Sequence, residues 1–250
     1  MKQRCLLEMK NKFQIFRNKI TKICLWKFSL FLFFGFFLVY LPSCQSPSES
    51  QYATKDRQFW KLLNKNPIDP SIAKSAFIYF FSTNQNKQVL KLFDKYENSL
   101  DILAKSDLNL SIYLATTMCI KAGISKNIEN KLTWLRRGMI KFQELENKYP
   151  KNLNLMAWEA ITYSNMPSIL GLSSKILFNT SYIVNNLKEG GSPTIEEISL
   201  TFNACINSAK TYKEEHFITL AREIVKFSPA MNTLFNKTEI HSAEVSFHDK

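Results

Sequence analysis

Glycine and proline are scarce, six and eight in 250 residues. Turn-rich β architectures and glycine-lined phosphate cradles call for more of both. No alternating apolar and polar run is bounded by hairpin turns, so strands are hard to place anywhere. There is no P-loop, GxGxxG, HExxH or GxSxG motif, which removes the sequence signatures of several nucleotide-dependent and hydrolytic chemistries. Histidine occurs three times, at His216, His241 and His248. Glu215 and His216 make a poor metal pair, because adjacent helical residues point about 100° apart. No CxxC or Cys/His spacing supports a zinc site. With no visible cluster of acids, bases or nucleophiles, no residue can be given a catalytic role. The expectation is a protein that is not an enzyme and needs no cofactor and no metal.

Positive charge looks abundant, at a formal +12, but it is unevenly placed. The first 44 residues hold eight of the 33 basic residues and one of the 21 acids, leaving a modest +5 on the rest. Nucleic-acid binding is therefore a poor inference, since the remaining charge is small and dispersed. Slightly over 200 residues follow position 44, enough for one domain with a proper core. Leu, Ile, Lys, Asn and Phe are plentiful, a composition suited to helices joined by few turns.

One long apolar run stands out. Residues 28–44, FSLFLFFGFFLVYLPSC, follow a leader containing Lys2, Arg4, Lys10, Lys12, Arg17, Lys19, Lys22 and Lys27. A basic leader, an apolar segment and a small residue before a cut site make an export signal. Leu41, Ser43 and Cys44 resemble the lipobox of bacterial lipoproteins, in which the cysteine is lipidated and becomes the mature N-terminus. Two other readings use the same residues. One is an uncleaved anchor reaching back to Ile23, which would include Lys27 at the interface. The other is ordinary cleavage after Ser43. The lipoprotein reading divides the chain into a signal peptide (1–43), a lipidated Cys44 with a flexible tether (44–54), a helical domain (55–235) and a polar tail (236–250) expected to fray.

Helical periodicity runs through the rest. Apolar stripes mark helices over 56–64, from Pro70, over 87–103 and over 108–122, the last apolar on all sides as a central helix should be. Residues 128–149 and 153–165 form two helices around a turn marked by Pro150. Further helices run over 172–187, from Thr194 to about Tyr212, and over 214–227. Thr194 followed by Glu196 and Glu197 is a strong N-terminal signature. Cys119 and Cys205 sit in apolar helical patterns and read as buried thiols, with a disulfide left open. Trp60, Trp134 and Trp158 read as core or interhelix packing. Arg136-Arg137 beside Trp134 reads as a solvated face.

Gly138, Phe142, Leu145, Pro150 and Asn152, then Ala160 and Tyr163, resemble the small, aromatic and proline positions of the tetratricopeptide (TPR) repeat. Glu159 departs from that pattern, occupying a slot that is normally apolar. The stretch LNLMAWEAITYSNMPSILGL also looks like a TPR-like variant of exported bacterial proteins, with a proline-containing loop after the helix. The fold class predicted is all-α: TPR-like antiparallel helical hairpins, as an α-solenoid or an irregular bundle.

The resemblance implies a protein-interaction scaffold, lipid-anchored to a bacterial membrane on its periplasmic side or in the outer membrane. In the register set by Ala160 and Tyr163, the groove facing a partner would present Asn154, Ala157, Ile161, Ser164 and Asn165. The partner would be another envelope protein, with no nucleic acid. The alternative is a small-ligand-binding component of an envelope uptake system, similar to the TPR-like lipoproteins of TRAP-type systems.

Overall fold

Five helix starts have a visible local cause. The computed structural model describes residues 49–66, 69–228 and 237–248. Asp69, Asp107, Asn127 and Asn152 each accept a hydrogen bond from a backbone N–H in the first turn that follows. Thr194 and Glu197 form a reciprocal capping box. Such caps satisfy donors that the helix itself leaves open, at about 1 kcal/mol each.

The described residues contain ten α-helices and no strand, so the fold is all-α, a helical bundle or solenoid. In order they are α1 (Glu49–Lys65), α2 (Pro70–Ser82), α3 (Asn86–Ala104), α4 (Leu108–Ile124), α5 (Ile128–Lys148), α6 (Leu153–Ser164), α7 (Ser173–Lys188), α8 (Ile195–Tyr212), α9 (Glu215–Phe227) and α10 (Lys237–His248). A 3-10 turn, Ser168–Leu170, lies between α6 and α7. No helix of the described residues is long and apolar enough to cross a membrane. Cys44 and the 1–43 signal lie outside the described residues.

Two expectations about the ends differ from the structure. α1 begins at Glu49, inside the stretch read as a tether. α10 occupies much of the tail read as fraying. Packing explains the second case: Ala243 is fully buried, and Arg222 on α9 bonds Glu244.

Short connections pair α2 with α3, α4 with α5, α6 with α7 and α8 with α9. The first members, α2, α4, α6 and α8, also pack on one another in that order. This is why α4 and α6 are buried nearly all round: each has a pairing helix and two neighbours. The second members are amphipathic. In α5 the buried residues are Gly138, Phe142 and Leu145, one per turn on a single face.

Neighbouring second helices show their register through side chains. Arg137 on α5 bonds Glu97 on α3, and Lys141 bonds Asp101 at 2.5 Å, both pairs 40 residues apart. Phe93 meets Trp134 edge-on at 5.6 Å. Between α5 and α7 the step is different: Lys175 bonds Glu146, only 29 residues away. The segment 165–172 causes the slip. It replaces the turns with which α7 would otherwise begin, and Gly171 within it takes φ 64°, a left-handed conformation that costs glycine little. α7 therefore starts beside the last turn of α5. Ile128 and Leu132 on the earlier turns of α5 stay 61% and 58% exposed.

Candidate functional site

Glu159 is the first residue of interest because it breaks the apolar pattern of α6. It is only 1% exposed. Burying a carboxyl group without partners costs several kcal/mol, so partners are required. Asn179 on α7 supplies one: its Nδ2 donates to Glu159 Oε2 at 2.8 Å. Lys175, one turn earlier on α7, places Nζ 3.7 Å from the same oxygen and bonds Glu146 on α5. The Tyr163 phenol, on α6 itself, lies close enough to feel the Glu159 charge. Cys119 on α4 lies close enough for the charge on Glu159 to act on its thiol.

The electrostatics follow from that arrangement. Burial raises Glu159 from its ordinary carboxyl range to about 7, opposed by the Asn179 bond and the Lys175 charge and reinforced by Glu146. Burial also pushes the Tyr163 phenol and the Cys119 thiol far above their usual values, with Glu159 adding to both. Near neutral pH the cluster therefore holds two carboxyl groups, one shared lysine and a proton on Glu159 that is readily gained or lost. Asn179 Oδ1 is buried without a partner, so this corner of the interior is short of hydrogen-bond donors.

A second feature lies on the face formed by the first helices of the pairs. Asn154 Nδ2 on α6 donates to Asn109 Oδ1 on α4 at 2.9 Å. Asn207 Nδ2 on α8 donates to Asn165 Oδ1 on α6 at 3.2 Å. Asn203 stands one turn before Asn207, and its Nδ2 is buried without an acceptor. Three consecutive first helices thus share a face rich in carboxamides. Aromatic rings continue it: Phe81 stacks on Tyr113 at 4.3 Å, and Trp158 meets both at 5.2 and 5.5 Å. Trp158 Nε1 also lacks an acceptor.

The groove residues expected from the sequence divide between interior and surface. Asn154 and Asn165 are half-exposed on the carboxamide face. Ala157, Ile161 and Ser164 are 0%, 2% and 1% exposed, inside the core rather than lining an open groove. The reason is that α6 packs against α4, α7 and α8 and keeps no open side from Leu155 to Ser164. Glu146, Lys175 and Asn179 were not foreseen. They come from separate helices, and the available signals were the charge at 159 and the polar Asn179 within ILFNTSYIV.

Other candidates resolve into packing. Arg137 is paired with Glu97, and it covers one side of Trp134 while Lys121 approaches the ring at 3.8 Å. Cys119 and Cys205 are free and buried. Among the described residues, no group of three or more His, Cys, Asp and Glu is placed to hold a metal ion. Comparison with protein families, with curated proteins and with solved structures finds no match to this chain.

Proposed function

We propose that the chain is a lipid-anchored scaffold of the bacterial cell envelope that grips a segment of another protein along the carboxamide face. Cys44 would carry the lipid and the TPR-like hairpins would carry the binding surface, without catalysis. The observation that bears the reading is the pair of interhelix bonds, Asn154 to Asn109 and Asn165 to Asn207. Each carboxamide has two N–H donors and an oxygen with two lone pairs. One bond to a neighbour leaves capacity for the N–H and C=O groups of a bound main chain. The bonds also fix the rotamers in advance, which lowers the entropic cost of binding. Tyr113, half-exposed, adds apolar contact beside the polar row.

The test is capture by crosslinking in cells. Asn154→Ala and Asn165→Ala should weaken capture of a partner while the helical signal is retained. Unchanged capture by both variants contradicts this surface.

A second reading is supported by two orphaned interior donors, Trp158 Nε1 and Asn203 Nδ2. Donors without acceptors favour a small ligand bearing a carbonyl or carboxylate. Native mass spectrometry of the delipidated protein separates the two readings, because a retained small molecule favours the binder and an empty protein favours the scaffold.

A further inference from the structure

The start of α7, like those of α3 and α9, is not held by a side-chain cap; its N-cap residue is Leu172. The turn before it is exposed, with Ile169 at 72%. The polar bonds that fix its first turns run instead into the cluster already described, through Lys175 to Glu146 and Glu159 and through Asn179 to Glu159 and the Met156 carbonyl. The charge count there is uneven, with two carboxyl groups facing one ammonium group. When both are ionised, one negative charge is uncompensated, and Glu159 bears it out of contact with water.

We propose that a proton on Glu159 acts as a latch on α7, holding its first turns against α5 and α6 when present and loosening them when lost. In the latched state Glu159 is neutral, accepts from Asn179 and leaves Lys175 to the Glu146 carboxylate. On deprotonation the proton passes to bulk water, and the two carboxylates compete for Lys175.

Every neighbouring element contributes to the balance. Cys119 faces the site from α4, Glu146 from α5, Tyr163 from α6, and Lys175 and Asn179 from α7. The thiol and the phenol are held neutral by burial, so Glu159 is the group that changes charge near neutrality. The latch does not depend on the scaffold reading. It concerns how one hairpin is held, whatever binds to the chain.

Hydrogen exchange tests it on the full chain. Exchange of the α7 amides over 173–179 is compared between wild type and Glu159→Gln at matched pH, so that intrinsic exchange cancels in the ratio. Glutamine mimics the protonated acid and does not titrate. Between about pH 5 and pH 8 the wild-type to variant ratio should rise, by an amount on the order of a hundredfold if opening releases Glu159 to water. A ratio constant with pH overturns the latch. Should Glu159→Gln fail to fold, carboxyl-carbon NMR of the glutamate-labelled wild type decides the matter. A carboxyl titrating near 7 supports the proposal, and titration of every glutamate in the ordinary range overturns it.

Discussion

Gly138 on α5 lies so close to Cys119 on α4 that an added Cβ would stand 2.5 Å from the thiol sulfur and 3.0 Å from the Ala115 carbonyl oxygen. The contact brings the two backbones together at the centre of the α4/α5 pair. Glycine is disfavoured within a helix by about 1 kcal/mol relative to alanine, so its presence here reflects the approach rather than local preference.

Gly138→Ala should therefore destabilise the fold despite better helix propensity. The cost of overpacking is about 2 kcal/mol. Combining it with Cys119→Ala should cost less than the sum of the two single changes, because the sulfur leaves the contact. Thermal unfolding of the four proteins measures the coupling.

Lys175→Met should reveal the charge imbalance around Glu159. The folded-state value of Glu159, about 7, lies above its ordinary 4.5. The native state therefore holds a proton that the unfolded chain lacks across that window, and the stability from this group falls as pH rises through it. Removing Lys175 removes a cause that lowers Glu159, so the fall should extend to higher pH. The variant should lose roughly 2 kcal/mol at pH 8 and less at pH 5, read from denaturant midpoints.

Thr194→Ala removes one half of the box, the Thr194 Oγ1 acceptor for Glu197 N–H at 3.2 Å, and leaves the residue 194 N–H that Glu197 accepts from at 2.7 Å. A loss of about 1 kcal/mol is expected, and Thr194→Ser should restore most of it. Urea unfolding with unchanged m-value checks the point.

The thiols of Cys119 and Cys205 should resist alkylation in the native chain. Both are buried, and burial pushes Cys205 up to about 12 and Cys119 higher still, whereas the reactive species is the thiolate. Peptide mapping after a thiol reagent should show labelling at these positions only at the rate of unfolding.

Much of the fold was legible because its signals are local. Pro70 opens one helix, Thr194 with Glu196 and Glu197 announces another, and apolar spacing carries each to its end. The face of α6 was harder to read. Its residues from Leu155 to Ser164 are all buried, so no polar side tells which neighbours it meets, and Ala157, Ile161 and Ser164 lie in the interior. The Glu159 cluster was visible as an anomaly alone. Its partners on α5 and α7 meet only because segment 165–172 shifts α7 along α5, which spacing within a single helix cannot express.

The most direct test of the binding account is a photo-crosslinking scan of the full-length chain in cells. A photoreactive residue would replace Asn109, Asn154 or Asn203 on the carboxamide face, and Glu144 or Lys226 on outer helices as controls. The account predicts a common protein adduct from the three face positions that is absent from the controls. Equal labelling at all five, or adducts from the controls alone, would contradict it.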